Sequence, residues 1–345
     1  MDVAIYPFGT TSDGKMVFCC RMQQSNGAWA EVLSYGATLR ALAVPNQSGE
    51  LQSVCYGYDT LQGYENGQDY RGAVVGRCAG RIANAIFDLN GKTYTLYANQ
   101  NNHHLHGGKQ GFDRKLWQMT PLQNGVQLYR IAADGEEGYP GAVELTVTYT
   151  FSGQNTLCIQ FDALPLQQTV LSLTHHGYWN LAGCANVGDH WFSSPATQYA
   201  AIQPDGIPTG ELLQTQGTPF DFRQPKMLQQ HWNTADAQIQ AGSGYDHTLL
   251  VPGSGLRTMC RLYHPKSGIT MQVNSTLPGI HLYTGNFLQP TPRCAVALEA
   301  QFIPDAVHHP QFPGVVVEKG EHWQHTIAYQ FTCEKNNPYY GGVSL

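Results

Sequence analysis

The sequence predicts an all-β protein, one large antiparallel β-sandwich with long loops in which residues 1–345 form a single domain. Three observations predict it. "ELTVTYTF" (144–151) alternates strictly: Leu145, Val147, Tyr149 and Phe151 point one way, while Glu144 and three threonines point the other, as in a strand buried on one face. Asn-Gly pairs sit between alternating runs, most clearly in "IFDLNGKTYTL" (86–96); both central residues of a type I′ hairpin turn need positive φ, which Asn and Gly tolerate. Gly (37) and Pro (19) punctuate the 345 residues throughout, and amphipathic helical periodicity is scarce, which argues for many short strands.

In chain order, "SNGAWA" (25–30), "IFDLNGKTYTL" and "QNGVQL" (123–128) mark hairpins. The best helical stretch lies near 225–241. Three later strands carry polar groups opposite apolar ones. In "LSLTHHGYWNLAG" (171–183), an extended chain puts Leu171, Leu173 and His175 on one face and Ser172, Thr174, His176 and Tyr178 on the other. In "GIHLYTGNF" (279–287), Ile280 and Leu282 lie opposite His281 and Tyr283. In "AVALEAQFIPDA" (295–306), Val296, Leu298 and Phe302 oppose Ala295, Ala297, Glu299 and Gln301. Glu299 therefore sits among small residues where a ligand can approach, although the same parity suits a solvated carboxylate on an outer face. A sandwich with one wet, concave face would look like this.

Composition narrows the partners. Charged residues are 13% of the chain, and 19 Lys and Arg face 25 Asp and Glu, a net charge of −6, so a nucleic-acid surface is not expected. Gln, Asn, Ser, Thr, Tyr and His carry the polarity and suit neutral hydrogen-bonding ligands such as sugars. Nothing approaches about 20 continuous apolar residues, so no membrane span is expected, and "MDVAIYPFGT" has neither the basic start nor the apolar run of a signal peptide. Nine cysteines without a CxxC pair read as reduced thiols in a cytoplasmic protein. The "HHLHGG" stretch (103–108) raises the question of a metal. His104 and His106, two apart on a strand, would share a face, but zinc needs further ligands with their own spacing and no second Cys/His cluster follows. We expect no metal.

At this point the chain resembles the aldose 1-epimerases, or galactose mutarotases. The resemblance runs from "YGATLRALAVP" (35–45) to "HTIAYQF" (325–331), through "GRCAGRIANAIFDLNGKTYTL", "NNHHLHGGKQGFDRKLW", "LTHHGYWNLAG", "GYDHTLLV", "YTGNFL" and "LEAQFIPDAVHHPQFP", in the family's order. It implies a β-sandwich of the galactose-mutarotase type and a cytoplasmic isomerase with no cofactor, acting on a small aldose such as galactose or glucose. Residue by residue, it implies Glu299 as general base, His176 as general acid, His106 as a second active-site histidine, and Arg81 and Asp246 as ligands of sugar hydroxyls. Tyr178, or Trp179, would cover an apolar sugar face. Three positions depart from the pattern: His281 where the family has Gln, His175 where it has Asn, and Gly80 for the Asn of Ala-Asn-Arg-Ile. Because the Gln position contacts a hydroxyl, His281 is expected to bind substrate and to tune which sugar is preferred.

The chemistry fits the residue types. A pyranose opens when the proton of its anomeric hydroxyl is removed and its ring oxygen is protonated, and it recloses on the other face of the aldehyde; a carboxylate and an imidazolium suffice. Free glutamate and histidine titrate near about 4.3 and 6.5, so the two types hold those states together near pH 5–6. Two rival readings remain. A non-catalytic carbohydrate-binding protein would not need Glu299 and His176 together. A hexose-phosphate 1-epimerase on the same fold would need cations converging on the phosphate, with Arg77 and Arg81 as the available pair. The sequence carries no sign of oligomeric state.

Overall fold

The computed structural model describes residues 1–153, 155–183 and 186–334. A nine-stranded sheet runs in the order Gln118–Leu122, Gly125–Ala132, Val143–Ser152, Thr156–Pro165, Trp323–Cys333, Ile269–Ser275, Arg257–Tyr263, Trp191–Ser193 and Lys226–Met227. A six-stranded sheet runs Tyr178–Trp179, Val296–Gln301, Gly279–Tyr283, Asp246–Leu250, Gln198–Ile202 and Pro208–Gln214. A five-stranded sheet is built from the N-terminal 53 residues, Asp2–Thr10 through Leu51–Ser53. Every strand pair within these sheets is antiparallel. The alternation at 144–151 is realised: Leu145, Val147, Tyr149 and Phe151 are wholly buried. They join residues of the six-stranded sheet, Leu249, Ile280, Leu298 and Trp179 among them, in one apolar layer. Trp179 packs on Tyr329 and Phe331 of the opposing sheet, with ring centroids 4.6 and 5.8 Å away.

The Asn-Gly hairpin forms as expected. Asn90 and Gly91 have φ of 54° and 73° between the strands Ile86–Leu89 and Lys92–Thr95. The other two turn signals also join paired strands. The helical expectation for 225–241 is corrected. Only a 3-10 turn at Leu228–Gln230 and a short helix at Ala237–Ala241 form there, the latter capped by the Asp236 carboxylate accepting from the amides of Gln238 and Ile239. A second short helix, Leu61–Asn66, was not anticipated. No helix among the described residues is long and apolar enough to cross a membrane.

The extended polar-faced stretch expected at 171–183 is broken: Thr174–His175 and Tyr178–Trp179 pair with different partners on either side of His176 and Gly177. Its parity survives at the residues that matter. His175 turns into the core, where its Nδ1 lies 2.9 Å from the Tyr329 hydroxyl, and His176 turns the other way. Ser172 and Thr174, expected on a wet face, are instead buried, and the Thr174 hydroxyl donates to the Ala300 carbonyl.

His104, His175 and His247 are 0–1% exposed. Burial, the largest cause in each case, depresses His104 to about 4 and His175 and His247 to about 3. Between the ordinary histidine value and those values, the unfolded chain binds protons that the folded chain refuses. Stability therefore falls as pH drops below about 6.5, by about 1.4 kcal/mol per pH unit for each histidine and about 4 for the three together. Urea midpoints measured at pH 7, 6 and 5 should fall steeply; midpoints that hold level would contradict this account.

Candidate active site

Three adjacent strands of the six-stranded sheet form the floor of a cleft of about 700 Å³, within the range of small-molecule sites. Register aligns the side chains. Thr248, His281 and Glu299 are cross-strand neighbours in one row, and Asp246, Tyr283, Ala297 and Tyr178 form the next. Residues two apart on a strand share a face, so both rows look into the same space. Ile280, Leu282 and Leu298, of opposite parity, fill the core beneath.

Glu299 is 2% exposed and lines this cleft, which disposes of the outer-face alternative. Its Oε1 lies 3.5 Å from His176 Nε2. Among the described residues, Glu299 Oε2 and His176 Nδ1 have no hydrogen-bond partner. A buried carboxylate with an unpaired oxygen is costly unless something in the cleft engages it.

Asp246 accepts from His281 Nε2 at 2.8 Å, and His281 Nδ1 lies within hydrogen-bond distance of the Thr248 hydroxyl, at 2.9 Å. Burial works to raise the Asp246 carboxyl, but the His281 hydrogen bond and the nearby His281 and Arg81 charges outweigh it and hold it below the usual carboxylate range. Asp246 is thus a fixed anionic acceptor. Both ring nitrogens of His281 have protein partners, Asp246 and Thr248, and the residue lines the cleft. Arg81 donates from Nε to Gln100 Oε1 at 2.7 Å, and its guanidinium stands 4.0 Å from Asp246 Oδ2. Tyr178 lines the cleft with its ring 4.9 Å from that of His176, whereas Trp179 belongs to the core.

His104 and His106 do not share a face. His104 ends in the interior, donating from Nδ1 to the Tyr97 carbonyl and accepting from the Tyr139 hydroxyl at Nε2, both at 2.7 Å. His106 follows the strand's end at φ 52°, which takes it out of the alternation, and its ring meets that of His176 edge-on at 5.3 Å. Its Nδ1 accepts from the Gly80 amide at 3.1 Å, and its own amide donates to the Gly80 carbonyl. Burial first, then the His176 and Arg81 charges, hold its imidazole well below the usual range, so His106 stands neutral with its proton on Nε2. Gly80, a departure from the family pattern, has φ 74°, and a Cβ there would come within 2.5 Å of Pro304. His103 accepts from the Asn84 amide and faces Asp205, stitching loops together.

Arg77 is unavailable to a phosphate. It is 2% exposed, and one nitrogen donates to the carbonyls of Pro140 and Gly141 and to the Thr169 hydroxyl. The hexose-phosphate reading loses half of its cation pair. Spacing also missed a cluster, Asp189, His190 and His264, whose ligand atoms lie within 4.8 Å of one another. The Leu181 amide donates to His190 Nε2 and the Ser267 amide to His264 Nδ1. Each ring therefore turns a proton, not a lone pair, toward Asp189: His264 Nε2 donates to it at 3.2 Å and His190 Nδ1 stands 3.3 Å away, an arrangement that suits a charge-paired clamp rather than a metal.

Sequence reasoning also missed the segment Asp69–Arg71. Arg71 donates to Asp69 at 2.7 Å and lies over the rings of Tyr56 and Tyr58, while Tyr70 packs on both His106 and His176. These are loop residues without alternation; the only signal was the polar-aromatic run "GQDYRG" (67–72).

The chain matches the family model described as aldose 1-epimerase over residues 19–330. It is 40% identical to the galactose mutarotase of Homo sapiens over 322 residues, 90% of this chain and 92% of that one. It is 34% identical to the aldose 1-epimerase of Haemophilus influenzae over 91% of this chain and 96% of the other. Among solved structures, an aldose epimerase homologue from C. elegans superposes with a TM-score of 0.85 at 29% identity, covering 96% of this chain and 99% of that one.

Proposed function

The chain belongs to the aldose 1-epimerase family and is an isomerase that interconverts the α and β anomers of aldohexoses such as galactose and glucose; we propose that Glu299 and His176 carry its two proton transfers. The supporting observation is the 3.5 Å separation of a buried carboxylate and an imidazole that both face one cleft. The two oxygens that must lose and gain protons are bonded to the same anomeric carbon, so the groups serving them must both reach one point in the cleft. Glu299 takes the proton of the O1 hydroxyl while His176, as imidazolium, gives one to O5. The C1–O5 bond breaks to leave an aldehyde and a neutral pair. After rotation about C1–C2, the O5 hydroxyl attacks the other face of C1, His176 takes its proton back and Glu299 returns one to O1. Asp246 and Arg81 hold hydroxyls distant from C1, Tyr178 covers an apolar face of the ring, and neutral His106 supports the acid from its side. No electrons or groups are exchanged, so the residues need no cofactor for this step.

The same reading takes residues 1–345 as one domain, supported by a buried cluster that draws on residues from Cys20 to Phe331. A cytoplasmic location is supported by the free thiols of the described cysteines. The direct test is polarimetry: the relaxation of α-galactose and α-glucose should speed up on adding protein, with or without EDTA. A relaxation no faster than in buffer would leave a sugar-binding protein and refute the proposal.

Substrate preference should respond to His281. A buried polar group discriminates by being left unpaired when a hydroxyl moves, at about 1–3 kcal/mol. Glutamine differs from imidazole in length and would reset the Asp246 carboxylate that His281 holds. His281→Gln should shift the ratio of galactose to glucose kcat/KM roughly tenfold, mainly through KM, since the contact precedes ring opening. An unchanged ratio with a collapsed kcat would move His281 into the proton-transfer machinery.

A further inference from the structure

His176 has an unusual support for a general acid. Its Nε2 faces Glu299, and its other nitrogen, buried, has no hydrogen-bond partner among the described residues. A catalytic imidazole is commonly oriented by a hydrogen bond to its second nitrogen. Here, rings do that work. Tyr70 lies nearly parallel to His176, at 24° and 5.9 Å between centroids, and packs on His106 at 4.6 Å, while His106 meets His176 edge-on. The backbone repeats the arrangement. The Gly72 amide donates to the His176 carbonyl, the His176 amide donates to the Ala73 carbonyl, and the Ala73 amide closes a turn onto the Tyr70 carbonyl. Tyr70 sits in this turn at φ 55°, a region a bulky residue occupies only where its surroundings over-determine it.

We infer that Tyr70 is a positioning residue for the general acid: its ring, stacked on His176 and braced by His106, fixes the angle from which Nε2 reaches the sugar's ring oxygen. A ring face also favours a cation beside it, so the contact suits the imidazolium that must give up the proton. Tyr70 exchanges no proton itself. The inference rests on His176 as the acid.

The test compares Tyr70→Leu, which removes the ring face, with Tyr70→Phe, which removes only the hydroxyl, by kcat and KM on galactose. A small misplacement of a catalytic group can cost about a hundredfold, so Tyr70→Leu should lose about thirtyfold in kcat with KM within about threefold, and Tyr70→Phe should stay near the parent. Should Tyr70→Leu fail to fold by circular dichroism, Tyr70→Met supplies the same readout. A normal kcat in the leucine variant, a loss confined to KM, or an equal loss in the phenylalanine variant would overturn the inference. His176→Asn, run alongside, separates the two layers. If it is fully active, the acid assignment fails and takes Tyr70's role with it. If it is inactive while Tyr70→Leu turns over normally, only Tyr70's role fails.

Discussion

Glu299→Gln should cost about a thousandfold in kcat, within the range of about 10²–10⁴ that a positioned proton-transfer group contributes, while KM for galactose stays within a few-fold. The substitution keeps the volume and shape of a side chain that is 2% exposed, so the strand Val296–Gln301 and its pairing with Gly279–Tyr283 have no steric reason to move. What is lost is the lone pair that accepts the O1 proton, since an amide has no useful basicity. Binding should survive because Asp246 and Arg81, which hold hydroxyls in the ground state, are untouched. Equal losses in kcat and kcat/KM identify an interaction made in the transition state. The check is steady-state polarimetry on a variant whose circular dichroism matches the parent. Near-normal turnover in that folded protein would remove Glu299 from the base role.

The site was legible in the sequence where strand parity decides a side chain's direction. Glu299, His281 and Tyr283 lie on regular strands, so alternation alone separated them from Ile280, Leu282 and Leu298. His176 lies in the break itself, between Thr174–His175 and Tyr178–Trp179, and it still turns away from the core that takes His175. Parity could not show what lies across the sheet. That Thr248 and Glu299 flank His281, and that Asp246 stands one row away, are facts of register, set by long-range pairing. Positive φ defeated the local pattern at His106 and hid Tyr70, because neither residue obeys the two-residue period. The Asp189–His190–His264 clamp joins residues 75 apart through its His264 arm and left no mark in spacing. The fold class was easier. Alternating strands and Asn-Gly turns are local signals, and they fix an antiparallel class without fixing strand order.

His176→Asn should be about as damaging as Glu299→Gln, again about a thousandfold in kcat, and the more telling measurement is the double variant. In the proposed step, the carboxylate accepts a proton from O1 as the imidazolium delivers one to O5, and both transfers belong to the same C1–O5 cleavage. Once either is missing, the other cannot complete the step. The remaining group then offers little beyond what bound water and a held sugar already provide. Residues that act as a unit are strongly non-additive. Glu299→Gln combined with His176→Asn should therefore fall no more than about tenfold below either single variant, far short of the product of the two losses. Asparagine suits the test because it keeps a polar, hydrogen-bonding group beside Tyr178 and Tyr70 but cannot carry a proton between oxygens. Removing one member of the pair also leaves the other buried without its neighbour, so each variant's folding should be checked by thermal unfolding before the kinetics are compared. Losses that multiply across the double variant would mean that base and acid serve separate steps. The 3.5 Å pairing of Glu299 and His176 would then describe the resting site rather than the transition state.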